Sequence, residues 1–200
     1  MHGDEIFRLI IGLGLAFVTP VGLYHRIRSQ ATREPLDRWQ EGLFILLTLR
    51  PFGLVAIFGV LAFVVNPGLM AWSSVPFPIE LRWTGSGIGV LAAGLAVWTF
   101  RTLGVNITDT VVTRKNHTLV TNGPYRYLRH PFYVATTLFV VAGMLATANW
   151  FIAITGTVTL TLLIIRTSKE EELLVKRFGD DYRHYMNRTG RFIPRVGKRV

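Results

Sequence analysis

The sequence predicts an all-α, polytopic membrane protein with five transmembrane helices, the last two a hairpin, and a cytosolic helical segment at the carboxyl end. Three observations carry this. Half of the 200 residues are hydrophobic and the mean hydropathy is positive, a balance unusual for a soluble domain of this size. The apolar residues gather in runs of about 20, the length that crosses a bilayer. The formal charge of +10 falls between those runs and in the tail, as loops facing an anionic cytoplasmic leaflet require.

The first run extends from Ile6 to Tyr24. It reads as a retained span. Asp4 and Glu5 lead into it where a signal peptide has basic residues, and Tyr24-His25-Arg26 follows where a small-residue cleavage site belongs. The second run covers Gly42 to Val65, and the third Trp83 to Leu103. Phe132 to Ile165 contains no charged residue and, at about 1.5 Å per residue, is too long for one span. It folds as two rather short spans that turn at Ala148-Asn149-Trp150.

With five spans, Arg26, Arg28, Arg33 and Arg38 fall on the same side as Arg101, Arg114, Lys115, Arg126, Arg129 and the basic tail. The opposite loops, Asn66 to Arg82 and the hairpin tip, hold Arg82 as their one basic residue. The positive-inside rule therefore puts the amino terminus outside and the carboxyl terminus in the cytosol, in the inner membrane if the cell is prokaryotic. Residues 1–200 read as one membrane domain. Three N-terminal transmembrane helices occupy 1–104, and a cofactor-binding catalytic half occupies 105–200.

Several chemistries are excluded or set aside. No cysteine is present, which removes disulfides, thiolate metal sites and cysteine nucleophiles, and no metal is expected. The cationic charge follows membrane topology and no nucleic-acid reading motif accompanies it, so no nucleic-acid partner is expected. Gly85-Ser86-Gly87-Ile88-Gly89 has the glycines of a dinucleotide loop but opens a span with no strand before it. Close helix packing explains it and Gly12-Leu13-Gly14 better. Sequons at Asn106, Asn116 and Asn187 lie on the cytosolic side and should stay unmodified. Arg50, beside Pro51 inside span two, either snorkels or pairs within the bundle, or marks a function.

The polar density lies in two segments on the cytosolic face. One runs His-Thr-Leu-Val-Thr-Asn-Gly-Pro-Tyr-Arg-Tyr-Leu-Arg-His-Pro-Phe-Tyr from His117 to Tyr133, with Gly123-Pro124 as a turn and Pro131 in the first turn of the next helix. Arg126, Tyr127 and Arg129, taken singly, suit an interfacial belt. The other begins at Arg166. If the fifth helix continues there, Arg166 and Glu170 are neighbours on one face, and Leu174 and Phe178 extend that stripe inward. Three adjacent glutamates, Glu170 to Glu172, are expensive near lipid headgroups and favour a positively charged ligand.

Gly-Pro-Tyr-Arg-Tyr-x-Arg-His-Pro-x-Tyr from Gly123 to Tyr133, Glu-Glu-x-x-Leu-x-x-x-Phe-Gly-x-x-Tyr-x-x-Tyr from Glu170, and Arg-x-x-Pro from Arg191 together resemble the isoprenylcysteine carboxyl methyltransferase family. The wider phospholipid methyltransferases look similar. The resemblance covers Val105 to Pro194 and implies an S-adenosylmethionine pocket at the cytosolic face. By position it assigns His117, Thr118, Leu119, Val120, Tyr125, His130, Pro131, Phe132, Tyr133 and Glu170 to the cofactor. It gives Arg166 to the substrate, with Arg166 and Glu170 as the catalytic pair. A sulfonium suits aromatic faces and a carboxylate, and Leu119 and Val120 suit adenine.

The implied acceptor is lipid-like or prenylated. An isoprenylcysteine carboxylate is already ionised at neutral pH and needs no strong base. An amine, as in a phospholipid, must first lose a proton, with Glu171 or His130 as base. Two other readings stand beside these. One is an NADPH-dependent membrane reductase, because sterol reductases resemble the same motifs. The other is a non-catalytic scaffold or transporter, although transporters usually show internal repeats and broken helices, no repeat is found here and Arg50-Pro51 is the one hint.

Overall fold

A computed structural model describes residues 2–30, 43–104 and 118–195, and among them every regular element is helical. The helices are α1 (His2–Gln30), α2 (Leu43–Val65), α3 (Ile79–Leu103), α4 (Pro131–Thr147), α5 (Trp150–Phe178) and α6 (Asp180–Arg188). Four segments are long and apolar enough to cross a membrane: Gly3–Ser29, Leu47–Val65, Ile79–Leu103 and Trp150–Phe178. The expected spans thus reappear as helices, and the hairpin arms prove unequal. α4 has 17 residues, about 25 Å, whereas α5 has 29, about 43 Å, and continues well beyond Ile165.

The hairpin turns where the sequence placed it. Ala148 adopts the left-handed conformation with φ of 47°, and Asn149 caps α5 by accepting from the Ile152 N–H at 3.1 Å. The same amide donates to Met70 O at 3.0 Å and Ser73 Oγ at 2.8 Å, tying the tip to the 3₁₀ helix Pro67–Ser73. At this end Arg82 pairs with Asp4 at 2.8 Å, donates to Ala146 O at 3.0 Å and lies 4.1 Å from the Phe7 ring centroid. Arg8 reaches Val65 O at 3.4 Å. The starts of α1, α3 and α5 therefore meet the ends of α2 and α4, and the five long helices alternate in direction.

Small residues draw α3 and α4 together. A Cβ on Gly85 would sit 2.6 Å from Leu145 Cβ and 2.7 Å from Ala146 N, so only glycine fits that crossing. Buried Ala92 and Ala96 of α3 and Ala135, Ala142 and Ala146 of α4 belong to the same small-residue packing. The packing explanation of the glycine run thus holds at Gly85. It does not extend to Gly14 and Gly87, where no atom of another element among the described residues lies within 4 Å of a Cβ position. Elsewhere the outer surface is apolar: Leu13, Phe58, Val90 and Leu91 are each at least 65% exposed. Water tolerates no such continuous surface, whereas lipid does. Arg50 lies on the exposed side of α2.

Candidate active site

At the opposite end from the hairpin tip, the loop before α4 is fitted against the foot of α3. Gly123 has φ of +55°, and a Cβ there would approach Thr102 Oγ1 to 2.5 Å. Both constraints demand glycine. Buried Pro124 then opens the short 3₁₀ helix Gly123–Arg126, and Pro131 opens α4. The last segment of the chain closes on this loop. Arg129 N donates to Gly190 O at 2.8 Å and His130 N to Arg191 O at 3.2 Å, while the Tyr185 hydroxyl donates to Tyr125 O at 2.7 Å. The three motifs, separated in sequence, are therefore one structural unit.

α5 presents two acidic neighbourhoods to it. On one, the Tyr133 hydroxyl donates to Glu170 Oε2 at 2.7 Å. Arg166 stands one turn before Glu170, and both are half-buried and within electrostatic reach of Tyr133. The Tyr125 phenol is pushed well up by burial and by the negative charge of Glu170, so it stays a neutral donor. On the other, Glu171 Oε1 accepts from Arg129 Nε at 2.8 Å and meets His130 Nε2 at 3.1 Å, while Oε2 lies 3.4 Å from Arg191 Nε. Arg129 further donates to Met186 O at 3.0 Å and Thr189 O at 2.5 Å. This second cluster is buried, with the Arg129 and Glu171 side chains each 12% exposed.

The expected site residues divide accordingly. His117 lies outside the described residues. Thr118 is exposed, and Leu119 and Val120 are half-buried in the irregular segment before Gly123. Tyr125, Tyr133, Arg166 and Glu170 converge. Pro131 and His130 are buried beneath them, the latter 3% exposed. Phe132 turns outward, its ring 5.7 Å from that of Phe100. The stripe Arg166-Glu170-Leu174-Phe178 is half-buried throughout, and the fully buried line runs one position round, through Thr167 and Glu171.

The three glutamates do not together call for a positively charged ligand. Each has its own protein partners: Glu170 has Tyr133, Glu171 has two arginines and His130, and exposed Glu172 has Lys169 at 3.1 Å and Lys176 at 2.7 Å. Only Glu170 keeps the half-buried setting in which a ligand cation is still useful. The Arg129–Glu171–Arg191 cluster was missed from sequence, although Arg129 and Arg191 both stand in the motifs. Side chains about 40 and 20 residues from Glu171 give no periodic signal of their pairing.

The fold and site define an all-helical integral membrane protein with a polar, tyrosine-lined acidic site at one end of its bundle. Residues 86–176 match the Isoprenylcysteine carboxyl methyltransferase (ICMT) family, which bears out the resemblance read from the motifs. The chain is similar to the protein-S-isoprenylcysteine O-methyltransferase of Dictyostelium discoideum, at 30% identity over 58% of this chain and 51% of that one. The Homo sapiens protein of the same name is 30% identical over 46% of this chain and 34% of its own. The "Cobalt-zinc-cadmium resistance protein CzcN" of Cupriavidus metallidurans is 31% identical over 58% of this chain and 55% of its own. The chain thus spans about half the length, or less, of these relatives. Among the described residues no three His, Cys, Asp or Glu side chains are grouped to hold a metal ion.

Proposed function

We propose that the protein is an S-adenosylmethionine-dependent methyltransferase acting on a lipid-like acceptor, with a carboxylate such as that of an isoprenylcysteine as the methyl-accepting group. The observation that carries this is the convergence of Tyr125, Tyr133, Glu170 and Arg166 within the segment that matches the family. These side chains fit the donor: aromatic rings face a sulfonium well, and a carboxylate accepts hydrogen bonds from the donor's amino or hydroxyl groups. Bound there, S-adenosylmethionine would supply an electrophilic methyl group for the acceptor oxygen and leave as S-adenosylhomocysteine.

The chain's own work is to bind, align and exclude water. Glu170, oriented by the Tyr133 hydroxyl, holds the donor. Arg166, a turn away towards the bilayer, presents a planar fork to the acceptor carboxylate. No base is required for a carboxylate, so alignment and a dry site supply the rate. An amine acceptor fits less well. Its two candidate bases, Glu171 and His130, are engaged with each other, and Glu171 is held ionic between two arginines.

In this reading the five alternating helices are five spans, with α4 the short one. The amino terminus is external and the motif end is cytosolic, so residues 1–104 anchor and residues 105–200 bind the donor. The donor enters from the cytosol and the acceptor sideways from the bilayer. Protease added outside sealed inverted vesicles should cut after Arg166; protection would reverse the orientation. The activity is tested by incubating purified protein with methyl-labelled S-adenosylmethionine and a lipid extract containing isoprenylcysteine. A labelled base-labile methyl ester is expected. An unlabelled extract together with co-purified NADPH would replace this reading with the reductase one.

A further inference from the structure

Resting on the methyltransferase reading, we propose that Glu171 is a positioning residue: it sets the Glu170 carboxylate through His130 and Tyr133 without touching donor or acceptor. Consecutive residues on a helix do not face one another, so the two acids cannot communicate directly along α5. A route exists through the start of α4. His130 Nε2 lies 3.1 Å from Glu171 Oε1, a contact that places the ring proton on that nitrogen. The His130 ring meets the Tyr133 ring edge-on with centroids 5.3 Å apart, and Phe192 adds a further contact at 5.7 Å. Tyr133 then donates to Glu170 Oε2 at 2.7 Å.

At the far end of this route Glu171 accepts from Arg129 and faces Arg191 at 3.4 Å, and Arg129 is itself tied to Met186 O and Thr189 O, so the imidazole meets a carboxylate held by the closing segment of the chain. The histidine on the same oxygen links that ion pair to the tyrosine that orients Glu170. The residue facing the proposed donor is therefore held by a neighbour that is buried away from it.

The test is a double-mutant cycle on S-adenosylhomocysteine affinity, read by calorimetry on detergent-purified full-length chain. Glu171→Gln and Tyr133→Phe should each weaken binding about tenfold, one hydrogen bond's worth, and the double variant should also lose about tenfold rather than a hundredfold. The acceptor KM should stay unchanged. His130→Phe keeps the ring packing and the Arg129–Glu171 pair while cutting the link, so it answers the question even if Glu171→Gln does not fold; about tenfold weaker binding is expected again. Multiplicative losses in the cycle, or wild-type affinity in folded His130→Phe, overturn the proposal. Failure of the methyltransferase reading looks different, because the wild-type protein itself would then bind no S-adenosylhomocysteine.

Discussion

Glu170 and Glu171 are adjacent in sequence, identical in chemistry and opposite in circumstance. Glu171 is enclosed by Arg129, His130 and Arg191, its charge neutralised within the protein. Glu170 is half-buried and accepts from the Tyr133 phenol. The rotation of one residue around α5 separates an acid enclosed in an ion cluster from one left half-buried beside a phenol. A run of like charges is therefore to be read by which element faces each member.

The largest expected effect tests the enclosed side. Glu171→Ala leaves the Arg129 guanidinium buried without its counter-charge, so the folded state should lose about 3–5 kcal/mol. Thermal unfolding in detergent checks it, and an unchanged midpoint would show that the cluster contributes nothing to the fold. Glu170→Gln should have the converse profile, with near-normal thermal stability and S-adenosylhomocysteine binding weaker by about 1.5–3 kcal/mol, as a charge-assisted hydrogen bond is lost. Unaltered affinity by calorimetry would take Glu170 out of the proposed site.

Arg166→Lys keeps the charge but removes the planar fork, so carboxylate acceptor use should drop about tenfold while S-adenosylhomocysteine affinity barely changes. Equal losses of both would make Arg166 a support for Glu170 instead of an acceptor contact. The smallest effect belongs to the other end of the bundle. Ser73→Ala removes the hydroxyl that donates to Met70 O at 3.1 Å and accepts from Asn149 at 2.8 Å. It should cost about 0.5–1.5 kcal/mol of stability and leave ligand binding intact. A change in affinity there would mean that the two ends are coupled.

By itself the sequence determined the helical class, the order of the long helices and the turn at Ala148-Asn149, because apolar runs of bilayer length and a capping asparagine are local signals. It also determined the family resemblance, since motif spacing survives without coordinates. The spacing of Arg166, Glu170, Leu174 and Phe178 allowed a continued fifth helix without requiring one, and α5 does run to Phe178. Only the tertiary structure decided which side chains pair. That Tyr133 takes Glu170 while Arg129, His130 and Arg191 take Glu171 depends on the angular setting of α5 against the α4 start and on residues 189–192 lying along residues 128–130. Phe132 turned towards Phe100 and away from the acids for the same reason. A helix of known length has no known rotation until its neighbours are in place, and a one-residue rotation of about 100° is the whole difference between a buried ion cluster and an open carboxylate.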